Sequence, residues 1–446
     1  MGLGLLQGSL LSPVLFNVFI NDLPRLLRRR HPGMLITDVK INSLLYADDI
    51  VLVSNSAYQL QAMLDTCEEH SIRNGYRYSP GKCEIVAPYE ECMETFKMSG
   101  SVIKIVESFK YLGLPFSRKG LDVHGMVSEG LARALRSAAF FRLLGCNGSG
   151  FSPSTIKRIL VGFVRPQMEY GLGLTYVGKA LENALDKTWA RIWRRSLSLP
   201  ATASGSAILR MIGLIDMTFR ARVLNARFMA RIGNSQCGLL PAKVCSFLYL
   251  GPGRRTRRSL ARRSLRNPVW KDISSDNWEA QKDKLKKLKN QYKTFHTARS
   301  IDVDDRMKGK VVGSRIVSEE GKTDGFLRYL PRFLPNKSLI RKLILWRTGC
   351  IPGIPAKCKR CDKETIATRE HISKCSGLES AFKDLPTDHI TNKGDHDENI
   401  IDRILNNKIM LKAHITWTKL EIGIKRLWSS CLGRRWGEEG EETTVG

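Results

Sequence analysis

Two adjacent aspartates stand between apolar runs in Ile41-Asn42-Ser43-Leu44-Leu45-Tyr46-Ala47-Asp48-Asp49-Ile50-Val51-Leu52-Val53, and this stretch constrains the chain most. Ile41, Leu44, Leu45 and Tyr46 read as one strand, and Ile50 to Val53 as the next. Asp48 and Asp49 fall at the tight turn between them. Aspartates at turns are most often simple turn formers. Here both flanks are nearly continuous apolar strands, the pattern of a buried sheet. Such a hairpin holds paired carboxylates rigidly at the edge of a core. Hard divalent cations take oxygen ligands, and two of them can clamp an in-line phosphoryl displacement.

Tyr46-Ala47-Asp48-Asp49 resembles the catalytic tetrapeptide of reverse transcriptases, and its neighbours narrow the resemblance. Gln7-Gly8, Leu11-Ser12-Pro13, Leu15-Phe16-Asn17 and Asp22-Leu23 are similar to the segment before that hairpin in non-long-terminal-repeat (LINE-like) retrotransposons. Gly75, Gly81-Lys82 and Phe109-Lys110-Tyr111-Leu112-Gly113 follow in the family's order. The likeness is specific over residues 3–116, looser through residue 235 and weak from there to residue 350. It implies an α+β fold: a partial polymerase palm of antiparallel strands with helices, then an all-α thumb and a small zinc-knuckle region.

The resemblance also implies roles. Asp48 and Asp49 would hold two magnesium ions. Gln7 and Gly8 would position template and nucleotide, since glycine has no side chain to block the approach. Lys82 would assist the pyrophosphate leaving group. The family commonly has Asn three residues before that lysine, where this chain has Ser79, and an ordinary turn lysine explains Lys82 equally well. Phe109, Tyr111, Leu112 and Gly113 would grip the primer end; a hydrophobic hairpin packed on the palm accounts for the same residues.

The 446 residues carry a formal net charge of +29, an excess that argues for a polyanionic partner. Nucleic acid is the first candidate and a membrane surface the second. No run of about 20 apolar residues exists, so no transmembrane helix is expected. No secretory signal is evident. Eleven cysteines, an odd count in a long chain, point to a reducing compartment rather than a disulfide scaffold.

Taken in order, Ser12-Pro13 reads as a helix start with Ser12 as N-cap, and Leu15, Phe16, Phe19, Ile20 and Leu23 as its core stripe. Ser56 and Gln59 fit a capping box, and Leu60, Met63, Leu64 and Cys67 a buried stripe, stopped at Asn74-Gly75. Residues 95–116 read as two short hairpins. Val102, Ile103, Ile105 and Val106 form one strand; Phe109, Tyr111 and Leu112 form another, ended by Gly113 and Pro115. Residues 120–235 read as helical, with a helix from Ser152-Pro153 through Ile156, Ile159, Leu160 and Phe163, and another over 180–197 broken by Pro200. Arg191, Arg194 and Arg195 fit a duplex groove or a solvated helix face.

Two features follow a Gly251-Pro252-Gly253 linker. Arg254, Arg255, Arg257, Arg258, Arg262, Arg263 and Arg266 crowd one short tract, followed by a lysine cluster with Trp270 and Trp278 between. Phosphate neutralisation with base stacking uses this mixture; a nuclear-import signal or a soluble basic helix fits it too. Farther on, Cys358 and Cys361 are followed by His371 and Cys375. Two thiolates from a tight turn, with a histidine and cysteine one helical turn apart, fill a closed tetrahedral zinc shell, so that metal would be structural. The family's elements carry a similar knuckle near the C-terminus.

The expected domains are a partial palm over 1–116, helical thumb and connection over 117–250, and a basic linker over 251–325. A helical region over 326–432 contains the knuckle at 358–375, and an acidic tail spans 433–446. Polymerase chemistry of this kind needs a third carboxylate, which the family places in a strand upstream of the Gln-Gly loop. The chain therefore reads as the C-terminal part of a retrotransposon polyprotein, a decayed copy or a truncated gene model, with an incomplete two-magnesium site and no activity alone. Its expected partners are RNA template and DNA primer or target, with no membrane; it would be intracellular and nuclear. The alternative is a non-catalytic, zinc-containing nucleic-acid-binding protein.

Overall fold

Proline at position 13 sets where the first helix begins, because its missing N–H falls where no intrahelical acceptor exists. Helix α1 spans Ser12–Ile20 with Leu11, not Ser12, in the N-cap position. The computed structural model describes residues 8–36, 39–87, 95–233, 263–273 and 337–347, with 240–241, 243–244, 280, 283–284, 287, 375, 419 and 422. Two compact units make up the chain: residues 1–128 with 171–177 and 225–271, and residues 129–170 with 178–224 and 272–446.

In the first unit, α1 meets the core along one edge only. Ile20 is buried and Phe16 packs against the core, but Leu15 and Phe19 remain exposed. The predicted core stripe is therefore half right. Helix α2 (Leu23–Arg30) buries Leu23 and Leu27. Strands β1 (Met34–Ile36) and β2 (Val39–Ile41) pair antiparallel. Strands β3 (Ser43–Tyr46) and β4 (Asp49–Leu52) form the central hairpin. The single strand expected over Ile41–Tyr46 is thus broken at Asn42, where the chain leaves one hairpin for the next.

Helix α3 (Ala57–Arg73) follows the sequence closely. Ser56 Oγ accepts from the Gln59 N–H at 3.3 Å. The reciprocal half of the capping box is taken by Ser54, whose Oγ accepts from the Ser56 N–H. Met63, Leu64 and Cys67 are buried, and burial pushes the Cys67 thiol up to about 12, an inert core group. After α3, a 3₁₀ turn (Pro80–Lys82) leads into β5 (Glu84–Ile85), which pairs in parallel with β8 (Lys104–Ile105). Between them β6 (Lys97–Met98) and β7 (Ser101–Val102) form their own hairpin. The strand predicted across Val102–Val106 is split at the buried Ile103. Strands β9 (Ser108–Tyr111), β10 (Leu114–Ser117) and β11 (Gly120–Leu121) make a three-stranded meander. Gly113 lies in the first turn and ends the strand as expected, whereas Pro115 lies inside β10.

Up to residue 224 the described residues of the second unit are mainly helical, as expected for 120–235. Its helices include α4 (Val123–Leu143, its later turns), α5 (Pro153–Ile159), a π-turn (Leu160–Val164), α6 (Arg165–Glu169), α7 (Lys179–Ser196), α8 (Gly205–Ile212) and α9 (Met217–Gly233, its earlier turns), and a further helix spans Lys337–Arg347. Leu185, Trp189, Ile192 and Trp193 bury one face of α7. Glu182 is buried and accepts from Arg222 Nε and NH2 at 2.6 and 2.7 Å, a bidentate pair. Asp186 accepts from the Met217 and Thr218 N–H groups, capping α9. Burial, then the neighbouring Asp216 charge, holds its carboxyl above the ordinary aspartate value. Arg194 donates to Ala203 O at 2.7 Å, so it closes the loop after α7 rather than facing a groove.

A polar chain centred on one buried histidine joins α2, α3 and the following segment. His70 is 1% exposed and bridges Asp22 Oδ1 at 2.8 Å and Tyr76 Oη at 2.8 Å, and Tyr76 Oη meets Tyr78 Oη at 3.0 Å. Burial raises the Asp22 carboxyl, but the His70 hydrogen bond and charge outweigh it and hold the group below the ordinary value. A depressed folded value means that this contribution is present above about pH 3.9 and lost as pH falls through the folded value. Asp22→Asn should therefore lower the urea midpoint of the chain at pH 6 and converge with the parent near pH 2. Equal midpoints at pH 6 would show that the bridge contributes nothing.

Candidate active site

The two aspartates are held by the root of their hairpin. Asn42 is 2% exposed, and its Nδ2 donates to Leu27 O at 3.0 Å and His31 O at 3.3 Å. Helix C-termini leave carbonyls without intrahelical donors, and one amide here satisfies the end of α2. Its own backbone carbonyl accepts from the Val53 N–H at 2.8 Å, closing the hairpin below the β3–β4 ladder.

Register then carries the geometry outward. Ser43 faces Leu52, Leu44 faces Val51, Leu45 faces Ile50 and Tyr46 faces Asp49. Leu45, Ile50 and Leu52 pack on the core, while Leu44 and Tyr46 are exposed. The hairpin is therefore half-buried, not the doubly covered sheet that its apolar run suggests. Ala47 and Asp48 make the turn, and Asp49 begins β4. Ala47 has φ of 49°, an uncommon conformation for a residue with a side chain. Both Asp48 and Asp49 are exposed.

The β9–β10 hairpin carries the predicted primer-end residues. Leu112 and Gly113 form its two-residue turn with φ of 50° and 73°, the pattern of a type I′ turn. Phe109 and Phe116 stack across the pair at 5.8 Å. Burial first, and then the Asp49 charge, raises the Tyr111 phenol above its ordinary value, so Tyr111 lies within electrostatic reach of Asp49. Of the predicted primer-end residues, Tyr111 is the one whose charge interaction reaches an aspartate, Asp49.

Other predicted site residues fall elsewhere. Lys82 is exposed on its 3₁₀ turn, with its N–H on Ser79 O, and makes no hydrogen bond or ion pair with either aspartate among the described residues. Gly8 has φ of +90°, with open space where a side chain would stand. Gln7, Arg254, Arg255, Arg257, Arg258, Arg262, Cys358, Cys361 and His371 lie outside the described residues. Arg263 is half-buried and Cys375 buried. Among the described residues no three His, Cys, Asp or Glu side chains gather as a metal site. No described helix is long and apolar enough to cross a membrane.

Sequence reasoning missed Asn42 and His70. A polar residue interrupting an otherwise apolar strand was the signal for Asn42. His70 continues the Met63–Cys67 stripe at helical spacing, a buried position occupied by a polar group.

Residues 2–116 match the family described as reverse transcriptase (RNA-dependent DNA polymerase). The chain is 28% identical over 234 residues to the retrovirus-related Pol polyprotein from type-1 retrotransposable element R2 of Popillia japonica, covering 49% of this chain and 37% of that protein. It is 37% identical over 159 residues to the R2 polyprotein of Nasonia vitripennis, covering 32% and 15%. It is 29% identical over 124 residues to the RNA-directed DNA polymerase from mobile element jockey of Drosophila funebris, covering 26% and 13%. The chain spans well under half the length of each of these curated relatives.

Replacing Asn42 by Leu keeps the branched shape but takes the side-chain donor from the His31 carbonyl, and leaves Leu27 O with the His31 N–H alone. Leaving a buried carbonyl without a donor costs about 1–3 kcal/mol. Hydrogen exchange over residues 43–53 should accelerate, with Val53 leading. Unchanged protection there would mean that the hairpin is held by its apolar face alone.

Proposed function

We propose that this chain, which belongs to the reverse transcriptases of non-long-terminal-repeat retrotransposons, contributes the carboxylate hairpin and primer-end turn of an RNA-directed DNA polymerase. The observation that carries this reading is the exposed Asp48-Asp49 turn, with Tyr111 within electrostatic reach of Asp49. Two consecutive exposed carboxylates suit a hard cation. Bound there, magnesium would supply the charge that stabilises a phosphoryl transfer. Asp48 and Asp49 would hold it, and the β9–β10 turn would seat the primer end. Gln7 and Gly8 would face template and nucleotide, and Lys82 would reach the leaving group only if its turn approaches the aspartates. Helices α4 to α9 would serve as the thumb.

Two carboxylates are one short of the set that such chemistry uses. Residues 1–446 alone, given a primer on polyadenylate and magnesium, should show no detectable extension. Joined to the upstream portion of the Popillia relative, they should extend the primer. Asp48→Ala or Asp49→Ala should then lower the rate at least about a hundredfold, the scale of losing one electrostatic stabiliser. Extension by the unjoined chain that Asp48→Ala abolishes would overturn the incomplete-site reading. Extension by the joined protein that ignores both alanines would overturn the assignment of the aspartates.

A second reading, nucleic-acid binding without catalysis, is favoured by the +29 charge and the arginine tract. The same tract would direct the protein to the nucleus. In this reading Cys358, Cys361, His371 and Cys375 bind one structural zinc, since three thiolates and an imidazole are a zinc donor set. Structural zinc supplies roughly 10–16 kcal/mol of apparent binding energy at neutral pH. The purified chain should carry one zinc per molecule by metal analysis. Cys361→Ser should release it and expose residues 350–380 to protease. No zinc in the parent protein would remove the knuckle.

A further inference from the structure

Between Gly130 and Met168 the second unit carries Arg133, Arg136, Arg142, Lys157, Arg158 and Arg165 and no acidic residue. Arg165 is engaged with Glu169 at 2.9 Å. Arg136, Arg142 and Arg158 are exposed. The same segment exposes aromatic surface. Phe140 is 57% and Phe163 63% exposed. Half-buried Phe141 links them, with ring centroids 5.7 Å from Phe140 and 5.8 Å from Phe163.

The backbone creates this surface. Simple helical spacing would turn Phe163 inward behind Ile156 and Leu160. Instead the Arg165 N–H closes on Leu160 O, five residues back, and inserts one extra residue into the turn. Val164 and Met168 take the buried positions, and Phe163 is displaced outward. Such π-turns are frequent at functional sites. On α4, Arg136 lies one turn before Phe140, on the same face.

We propose that Phe140 and Phe163, with Arg136, Arg142 and Arg158, bind an unpaired polynucleotide strand. Its bases stack on the two exposed rings and its phosphates meet the guanidiniums. Ring faces accept any base, and arginines neutralise any phosphate. A duplex hides its base faces in the stack, so the rings select a single strand. A second copy of the chain fits poorly, because a symmetric contact sets the same patch against itself and brings like charges together. Binding here needs no catalytic step, so it stands whether or not Asp48 and Asp49 support synthesis.

The test uses the full chain and labelled mixed-sequence RNA and DNA strands of about 16 nucleotides, an upper site size for such platforms. Fluorescence anisotropy is read over a salt series, with a duplex of the same length as comparison. Phe140→Leu with Phe163→Leu keeps apolar bulk and removes stacking. It should weaken single-strand binding about tenfold or more while leaving duplex binding and the salt slope unchanged. Arg136→Gln, Arg142→Gln and Arg158→Gln together should flatten the salt slope by up to about three phosphate equivalents. Ultraviolet crosslinking with mass spectrometry should place adducts between residues 137 and 165. The proposal is overturned if the folded phenylalanine variant binds single strands like the parent, or loses duplex binding equally. Adducts confined to the 254–289 tract overturn it too. So does self-association of the parent that the phenylalanine variant abolishes, which would make a second copy the occupant.

Discussion

One buried side-chain amide decides where the two aspartates stand. Asn42 spends its donors on the last carbonyls of α2 and its backbone carbonyl on Val53, so the hairpin and helix share one fixed point. Without it, a four-residue ladder would be the hairpin's main internal tie, and a two-stranded pair is marginal in water. The apolar inner face, Leu45, Ile50 and Leu52, supplies attachment without direction. Hydrophobic burial is non-directional; the amide geometry is what makes the turn point to one place. The turn itself stores a small strain at Ala47, which such a root can hold.

The first unit's other polar ties act alike. Asp22–His70, His31–Thr66 and Arg30–Glu69 all join α2 to α3. The exposed Arg30–Glu69 pair adds little energy, whereas His70 is buried and its ring must stay bonded on both sides. Gln61 of α3 uses both ends of its amide on the Lys97 backbone, so the helix also sets the β6 edge. A unit that carries two exposed carboxylates is thus tied by helix-to-helix and helix-to-strand bonds that do not involve them.

The second unit shows a different balance. Its inner acids are each compensated: buried Glu182 by Arg222, and half-buried Glu169 by Arg165 and Arg220. Breaking one partner of such a pair strands the other charge. Its surface between Gly130 and Met168 is left uniformly basic and partly aromatic. Burying acids inside and leaving arginines outside concentrates positive charge where a polyanion can reach it.

The sequence by itself determined the elements whose signal is local. Ser56 capping α3, the Met63–Cys67 stripe, the Asn74-Gly75 stop and the Asp-Asp turn all rest on contacts a few residues apart, so spacing alone finds them. Tertiary structure decided what depends on distant partners. Asn42 split a strand that apolar pattern read as continuous, because α2 offered carbonyls 15 and 11 residues away. Ser101–Val102 and Lys104–Ile105 separated because Glu84–Ile85 was available as a parallel partner. Phe163 left the apolar stripe because one inserted residue in the π-turn advanced the inward face to Val164. Periodicity assumes an unbroken helix or strand, and each of these is a place where packing broke the period. Tyr111 was legible as part of a motif, but its charge interaction with Asp49, 62 residues away in sequence, is set by the tertiary structure, which no local spacing encodes.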